Sequence, residues 1–215
     1  MAKVIIFGVQ DFAELAHYYL ENDSNHEVIA FCVSKEYLPS YKEFKGLPIV
    51  AFEEVEKYYP VGEFKFFAPM APQNMNILRE KIYHEIKNKG YELISYISSK
   101  ATIFDNEIGE NCFILENNTI QPFTKIGNNV ILWSGNHIGH HSVIEDHVMF
   151  TSQVVLSGHC KVEQYSTLGV NATIRDGLVI AEGTFVAMAA SIIKNTEPWG
   201  LYKGNPAVKS EKSTK

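Results

Sequence analysis

The stretch at residues 108–194 reads in blocks of six, the last of which runs on to residue 197: IGENCF, ILENNT, IQPFTK, IGNNVI, LWSGNH, IGHHSV, IEDHVM, FTSQVV, LSGHCK, VEQYST, LGVNAT, IRDGLV, IAEGTF, VAMAAS and IIKNTE. The first residue of every block, from Ile108 to Ile192, is apolar, and no insertion interrupts the phase. Hexapeptide periods of this kind are typical of parallel β-helices. The period therefore predicts that this stretch folds as one continuous β-helix.

A six-residue period suits a three-sided prism better than a flat sheet or an α-helix. Side chains of a strand alternate every two residues, and those of an α-helix repeat about every 3.6 residues. In a prism each of three flat faces takes six residues, so one coil takes about eighteen and successive coils stack as parallel sheets. The alternative is an antiparallel sandwich whose period arose by chance.

The fifth residue of each block should also point inward, close to a corner of the prism where space is short. These positions hold Cys112, Asn118, Thr124, Val130, Asn136, Ser142, Val148, Val154, Cys160, Ser166, Ala172, Leu178, Thr184 and Ala190. Most of these residues are small or β-branched, as such a corner requires.

Composition excludes several classes of protein. A net charge of −6 argues against a general nucleic-acid binder. The three cysteines show no metal-ligand spacing and are odd in number, which favours a reducing compartment. The N-terminal residues lack the apolar core and cleavage site of a signal peptide, and no run approaches the roughly 18 apolar residues of a membrane span. We therefore expect a cytoplasmic protein that does not bind membranes.

The N-terminal residues predict a small doubly wound domain. Residues 3–8 (KVIIFG) form an apolar run that ends in glycine, which is typical of a buried parallel strand. Residues 11–22 (DFAELAHYYLEN) have apolar side chains at helical spacing, with Asp11 as candidate N-cap. Residues 26–33 (HEVIAFCV) predict a second strand, and this order begins a Rossmann-like parallel sheet.

The rest of this domain follows from shorter patterns. The further predicted elements are strands at residues 47–51, 65–70 and 93–97 and helices at residues 52–59 and 76–89. Gly90 is positioned to close the last helix. We divide the chain into a Rossmann-like domain at residues 1–98, a β-helix at 99–194 and a C-terminal segment with the tail at 195–215.

A candidate substrate site lies at the carboxyl end of the first two predicted strands. Gly8 stands where such domains cradle phosphate, opposite a helix N-terminus. The loop GVQDFA lacks the second and third glycines of a dinucleotide fingerprint, so a full NAD site is not expected. Gly8 is either a plain tight turn or a ligand contact. Gln10 in the same loop and Ser34 after the second strand are the other candidate substrate contacts.

The C-terminal segment ends the repeat. Residues 195–209 (NTEPWGLYKGNPAVK) contain two prolines and two glycines, which do not continue the hexapeptide pattern. Trp199 and Tyr202 either plug the last coil or stack on a ligand ring. The polar tail SEKSTK is expected to fray.

A histidine cluster marks the candidate catalytic site. Of eight histidines, five lie between residues 137 and 159. Residues eighteen apart should stack, so His140 is predicted to lie beneath Gly158 and His141 beneath His159. A base beside a bare glycine amide suits acyl transfer, because imidazole takes a proton from the incoming nucleophile and the amide stabilises the oxyanion. The alternative is that these histidines only decorate a polar face.

Residues 136–159 (NHIGHHSVIEDHVMFTSQVVLSGH) resemble the histidine-bearing coils of hexapeptide acyltransferases that modify sugar nucleotides, including the UDP-N-acetylglucosamine acyltransferase of lipid A synthesis. The whole chain is similar to the sialic-acid O-acetyltransferase and bacillosamine N-acetyltransferase family. In that family a short βαβ domain precedes the prism and the chain ends in G-x-P-A, here residues 204–207. Asn76 and Arg79 match an Asn and an Arg of the family. The resemblance implies a left-handed β-helix.

The same resemblance implies a homotrimer with acetyl-CoA between adjacent prisms and a nucleotide-linked amino sugar in the N-terminal domain. The family's general base falls on His140, with His141 beside it, and the amide that faces the thioester carbonyl falls on Gly158. The residues implied for CoA binding are Gly158, Gly169, Val170, Ala187 and Ala189, with Lys203, Asn205 and Pro206 at the adenine end. The resemblance implies no metal.

Two departures from the family pattern matter. The family usually has an acidic residue directly after the catalytic histidine, where this chain has His141. Either another group orients His140, or its basicity is lower. The end of the second strand, which often carries acidic residues near the nucleotide base, reads Cys32, Val33, Ser34. The sequence therefore does not select among uridine, thymidine and guanosine as the nucleotide that carries the sugar.

Four functions compete at this point. The leading interpretation is an acetyl-CoA-dependent N-acetyltransferase that acts on a nucleotide-linked amino-deoxy sugar in surface polysaccharide or glycan synthesis, including lipopolysaccharide. The second is an O-acetyltransferase of the sialic-acid type. The third is a zinc β-helix enzyme like the β-helix carbonic anhydrases, with ligands from His141, His147 and His159. The fourth is a non-catalytic sugar-binding or scaffold protein.

Overall fold

The computed structural model describes all 215 residues, and an α/β unit occupies its N-terminal part. The strands of this unit are β1 (Lys3–Phe7), β2 (Glu27–Val33), β3 (Glu43–Phe44), β4 (Leu47–Ala51) and β5 (Phe64–Phe67), and its helices are α1 (Asp11–Asp23), α2 (Val55–Tyr58) and α3 (Ile77–Asn88), with 3₁₀ turns at Lys35–Tyr37 and Phe52–Glu54. The sheet order is β3-β4-β2-β1-β5, and every pair except β3–β4 is parallel.

The apolar run of β1 is buried on both faces of this sheet. Val4 and Ile6 belong to a core on the side of α1, and Ile5 and Phe7 belong to a core on the side of α3. This explains why the strand reads as a continuous hydrophobic run rather than an alternating one. The N-cap prediction was wrong, because Asp11 is the first helical residue and Gln10 occupies the cap position.

The hexapeptide blocks form a three-sided prism of two-residue strands. These are β7 (Glu107–Ile108), β8 (Phe113–Ile114), β9 (Thr119–Ile120), β10 (Lys125–Ile126), β11 (Ile131–Leu132), β12 (His137–Ile138), β13 (Val143–Ile144), β14 (Met149–Phe150), β15 (Val155–Leu156), β16 (Lys161–Val162), β17 (Thr167–Leu168), β18 (Thr173–Ile174), β19 (Val179–Ile180), β20 (Phe185–Val186) and β21 (Ser191–Ile192). We call β7, β10, β13, β16 and β19 the first face, β8, β11, β14, β17 and β20 the second, and β9, β12, β15, β18 and β21 the third.

The eighteen-residue coil is confirmed by the strand register. Lys125 pairs with Val143 and Val143 with Lys161, all in parallel. The first and fifth residues of the blocks fill the interior, which is one apolar cluster with small polar side chains at some corners. The prism of parallel sheets is consistent with the predicted left-handed β-helix.

The fourth residue of each block, from Asn111 to Ala189, makes the corner with a positive φ. We name the corners by what they carry. The histidine corner joins the third face to the first and includes His141 and His159. The junction corner joins the first face to the second and includes His147. The far corner joins the second face to the third and includes Ala189.

Both ends of the prism differ from the sequence-based boundaries. The strand β6 (Tyr96–Ile97), predicted to close the N-terminal domain, pairs with Phe113–Ile114 and so extends the second face. At the other end, β22 (Gly200–Lys203) pairs with β20, and β23 (Val208–Ser213) folds back on β22. The prediction of a fraying tail was therefore wrong for most of its length. Tyr202 plugs the last coil, since it is buried in the prism core.

A buried guanidinium joins the N-terminal unit to the junction corner. Arg79 of α3 is 1% exposed and donates hydrogen bonds to the backbone oxygens of Asn129 and His147 at 2.6 and 3.0 Å. Asn76, which precedes α3, donates to the Tyr165 oxygen at 3.0 Å. Burial lowers the pKa of Arg79 from 12.5 to about 9, so the group stays charged at neutral pH. The two residues picked out by the family resemblance are thus structural links between domains.

A ladder of stacked polar side chains runs up the same corner. The Ala68 N–H donates to Asn111 Oδ1 at 2.8 Å, and Asn111 Nδ2 donates to Asn129 Oδ1 at 2.8 Å. Asn129 Nδ2 must then donate to His147 Nδ1, which lies 2.9 Å away. This order fixes the neutral tautomer of His147 with its hydrogen on Nε2.

None of the helices has the length and apolar character that crossing a membrane requires.

The buried His147 makes stability depend on pH in a defined window. Burial lowers its pKa from 6.5 to about 4, with Glu80 and Asp146 opposing the shift. Below about pH 6.5 the His147 imidazole binds a proton in the unfolded chain but not in the folded protein. The free energy of unfolding should therefore fall between pH 6.5 and about 4, by up to about 1.4 kcal/mol per pH unit from this group.

Urea denaturation of the wild type and of His147→Asn across this window checks the prediction. Asn111 and Asn129 already occupy the same corner in lower coils, so asparagine fits the left-handed backbone there. The difference in unfolding free energy between the two proteins should shrink as the pH falls. A difference that stays constant from pH 7 to 4 would contradict the assignment.

Candidate active site at the histidine corner

The turn that follows β12 presents two imidazoles to the outside of the prism. His141 has a φ of 57° and turns the chain from the third face to the first, while Ile138 and Ser142 on either side point into the core. This geometry leaves His140 and His141 exposed, as their third and fourth positions in the block predict.

The predicted stacking of His140 beneath Gly158 is confirmed. A Cβ atom built on Gly158 would lie 2.8 Å from His140 Cε1 and 3.0 Å from its Nε2. The ring therefore occupies the space that any side chain at position 158 would need. The Gly158 N–H donates to no acceptor within the protein. Together the two residues place a titratable nitrogen next to an unpaired amide donor.

His141 is the partner that orients His140. The two Nδ1 atoms lie 3.0 Å apart, which is hydrogen-bond distance. One of the two nitrogens must carry the hydrogen. When His140 carries it, the lone pair of the His140 Nε2 atom is free to accept a proton. This contact places the His141 imidazole where the family pattern has an acidic residue.

Two neighbours of this pair, Gln121 and Phe123, were not predicted, and His159 was predicted to stack without an assigned role. The Gln121 Oε1 atom accepts a hydrogen bond from the His140 backbone N–H at 3.0 Å. Phe123 packs on His141 from the coil below, at 4.7 Å between ring centroids, and His159 stacks on it from the coil above, at 4.9 Å. The eighteen-residue spacing from 123 to 141 to 159 was the signal that would have found this aromatic stack.

The residues implied for CoA binding group together at the far corner and the end of the prism. Gly169 lies directly beneath Ala187, and the Ala189 N–H donates to the Val170 oxygen at 2.8 Å. The Ala187 N–H donates to the Tyr202 oxygen at 2.8 Å, which ties this corner to β22. The loop after β22 carries Lys203, Asn205 and Pro206, and its Gly204 oxygen accepts from the Ser191 N–H at 3.0 Å.

The structure does not bring this group next to His140 within one chain. The third face, with its strands β9, β12, β15, β18 and β21, lies between the far corner and the histidine corner. A cavity of about 340 Å³ lies at the C-terminal end of that face. Its walls include Ile193, Tyr202, Pro206 and Val208, and Lys194 and Lys209 also line it, with Lys209 paired to Glu197.

The three candidate substrate contacts lie at one edge of the N-terminal sheet. Gly8 has a φ of 122° and its N–H donates to the Cys32 oxygen at 2.8 Å, so this glycine makes a tight turn. Gln10 caps α1, and Ser34 follows β2, the neighbour of β1. The carboxyl edge of parallel strands is where such sheets bind ligands.

The proposed zinc set of His141, His147 and His159 is wrong as a set. His147 lies at the junction corner, buried to 3% exposure beside α3, where its Nε2 is 3.8 Å from Glu80 Oε1. His140 instead completes a group with His141 and His159.

Trp199 lies at the junction corner. Its ring stacks on that of Tyr165 at 6.0 Å between centroids, and the Lys215 ammonium lies 4.2 Å from the centre of the Trp199 ring.

Comparison with known proteins identifies the repeat. Residues 107–140 and 123–158 match the family "Bacterial transferase hexapeptide (six repeats)". Residues 107–158, which form part of the prism, therefore match the hexapeptide repeat of bacterial transferases.

Curated relatives resemble about half of the chain. The acyl-[acyl-carrier-protein]–UDP-N-acetylglucosamine O-acyltransferase of Sinorhizobium fredii is 27% identical over 110 residues, which are 48% of this chain and 41% of that protein. The enzyme with the same description from Gloeothece citriformis is 30% identical over 111 residues, which are 51% of this chain and 40% of that protein. The chain thus spans about four tenths of the length of these curated relatives.

Solved structures resemble the whole chain. A variant of perosamine N-acetyltransferase from Caulobacter crescentus, in complex with CoA and GDP-perosamine, is 20% identical with a TM-score of 0.88, over 99% of this chain and 98% of that chain. The acetyltransferase domain of PglB from Neisseria gonorrhoeae is 16% identical with a TM-score of 0.82, over 98% of this chain and 100% of that domain. At these identities the likeness establishes the shared two-part fold.

Proposed function

We propose that the protein transfers the acetyl group of acetyl-CoA to the amino group of a nucleotide-linked amino-deoxy sugar. The observation that carries the proposal is the His140 imidazole lying against the unpaired Gly158 amide. The full-length likeness to an N-acetyltransferase solved with CoA and GDP-perosamine supports both substrates. The proposal places the enzyme in the cytoplasm and in surface-glycan synthesis.

The chemistry follows from these two residues. The His140 Nε2 atom accepts a proton from the sugar amine as the amine nitrogen attacks the thioester carbonyl carbon. The tetrahedral oxyanion accepts a hydrogen bond from the Gly158 N–H. When the intermediate collapses, the carbon–sulfur bond breaks and the imidazolium returns its proton to the CoA thiolate. The products are the acetylated sugar and CoA.

The separation of the two site halves supports a shared site. His140 lies at the histidine corner, whereas Gly169, Val170, Ala187 and Ala189 lie across the third face. A homotrimer with a neighbouring prism in the groove brings the far corner of one subunit to the histidine corner of the next. In this arrangement acetyl-CoA runs between two subunits, with its adenine end near Lys203, Asn205 and Pro206.

The sugar nucleotide belongs to the N-terminal unit in this proposal. Gly8, Gln10 and Ser34 share the carboxyl edge of the sheet, where a helix N-terminus favours phosphate. The GDP-sugar bound in the similar structure makes guanosine diphosphate the first carrier to test. Because the curated relatives are O-acyltransferases, the assay must separate an acetamide from an acetate ester.

His140→Ala should lower turnover by roughly 10²-fold or more, because the general base is lost. The measurement is thiol release from acetyl-CoA with GDP-, dTDP- and UDP-linked amino sugars, followed by mass analysis of the product. His84→Ala, which changes an exposed histidine on α3, should keep wild-type turnover. Near-normal turnover of His140→Ala would remove His140 from the mechanism, and a product labile to hydroxylamine would show ester formation.

His141→Ala should reduce turnover less than His140→Ala, because it removes only the orienting hydrogen bond. His141→Glu should instead give a higher turnover than His141→Ala. It should also move the acidic limb of the pH–rate profile to higher pH, because a carboxylate favours the charged form of His140. The pH dependence of kcat/KM for the three proteins checks both statements. Identical profiles for the wild type and His141→Glu would mean that position 141 does not orient the base.

A shared site can be tested by mixing two inactive variants. His140→Ala lacks the base, and Val170→Trp blocks the far corner, where Val170 is exposed. Co-expressed with different tags and purified as mixed trimers, the two should recover about one third of wild-type turnover, since one of the three interfaces in each mixed trimer combines an intact base with an intact far corner. Mixed trimers without turnover would place the whole site within one subunit. Light scattering confirms the assembly of each preparation.

A further inference from the structure

We infer that His140, His141 and His159 form a binding site for a divalent transition-metal ion of the zinc class. Their ligand nitrogens all lie within 4.8 Å of one another at the histidine corner. The three imidazoles are neutral ligands of the kind that Zn²⁺, Co²⁺, Ni²⁺ and Cu²⁺ prefer.

The spacing of the first two nitrogens already suits a tetrahedral ion. Zinc–nitrogen bonds of about 2.0–2.1 Å place two ligand atoms about 3.3 Å apart at a tetrahedral angle. The Nδ1 atoms of His140 and His141 are 3.0 Å apart. An ion there replaces the hydrogen bond between the rings, and the neutral ring that carried its hydrogen on Nδ1 moves it to Nε2.

The third ligand, His159, reaches the ion without breaking a hydrogen bond. The His159 ring makes no hydrogen bond, and its side chain is exposed, so a rotation that brings its nitrogen closer costs little. Its backbone is held in place, since the His159 N–H donates to the His140 oxygen at 2.9 Å. The three imidazoles are the only ligands in the group, so water fills the fourth position.

The second histidine group of the chain is a poorer ligand set, which makes it a useful contrast. At the junction corner, Glu80 accepts a hydrogen bond from the Tyr165 hydroxyl at 2.8 Å. Asn129 donates to His147 Nδ1, which leaves the hydrogen on the Nε2 atom that faces Glu80 and His84. That group lies at a different corner, and its changes should not affect binding at the histidine corner.

A bound ion has a direct consequence for the proposed acetyl transfer, and this part rests on the proposed function. An ion on His140 Nδ1 leaves the hydrogen on Nε2, and an ion on Nε2 covers the lone pair. Either way the ring no longer accepts a proton from the amine. Zinc should therefore act as a reversible inhibitor that competes for the base.

Cobalt(II) gives a readout that does not depend on catalysis. Titration of the full-length protein with CoCl₂ should produce the visible absorption of a tetrahedral Co²⁺ complex, which ZnCl₂ then displaces. His159→Phe should weaken cobalt binding by roughly tenfold or more, because one ligand is lost. Phenylalanine keeps the stack on His141 and fits the left-handed backbone, as Phe123 shows in the same corner with a φ of 64°. His84→Ala should bind like the wild type.

The two proposals fail separately. Absence of the cobalt bands, or equal cobalt affinity of the wild type and His159→Phe, overturns the metal site. Cobalt binding that requires His159 supports the site even when no amino-sugar nucleotide is acetylated, a result that overturns only the proposed function. In an active enzyme, zinc should inhibit the wild type, EDTA should restore turnover, and His159→Phe should resist inhibition. Full wild-type turnover with zinc bound would overturn the inhibitory role.

Discussion

The parallel hydrogen-bond ladder between coils fixes which side chains lie next to one another on the surface of the prism. Each residue lies above the one eighteen positions earlier, as the pairing of Lys125 with Val143 shows. A change of one residue in any coil would turn apolar side chains outward and rotate the corners above it. The ladder therefore places side chains as well as stabilising the prism, and it is the reason that Gly158 lies over the His140 ring.

The joint between the two parts of the chain combines an apolar cluster, in which Phe67 packs on Phe113, with a buried charge that is costly to desolvate. Arg79 is charged and 1% exposed, with carbonyl and amide oxygens as its hydrogen-bond partners. An apolar contact would tolerate sliding along the second face, whereas a planar guanidinium that must reach oxygens of two successive coils accepts one arrangement. We therefore assign the cost of burying this charge to positional specificity. It holds the candidate sugar-nucleotide edge of the N-terminal sheet at one height along the prism.

The sequence contained the prism and the histidine pair, because both depend on spacing alone. The period of six predicted the faces, and its multiple of eighteen predicted the contact of His140 with Gly158. Spacing does not report hydrogen-bond direction, so the orienting role of His141 and the tautomer of His147 needed coordinates. The tail was mispredicted for a related reason: residues 208–213 are polar, and what makes them a strand is the free edge of β22 rather than their own propensity.

A neutral imidazole in place of a carboxylate changes what the base can do. A carboxylate beside His140 would stabilise the imidazolium by Coulomb attraction and raise its affinity for protons. His141 supplies a hydrogen-bond partner without a full charge, so the proposed base is oriented by hydrogen bonding rather than by Coulomb attraction. Orientation is enough for an amine nucleophile, because the amine becomes strongly acidic only after it attacks the carbonyl carbon. The same substitution places nitrogen where the family pattern has oxygen, and it links the proposed acid–base function to the proposed preference for softer metal ions.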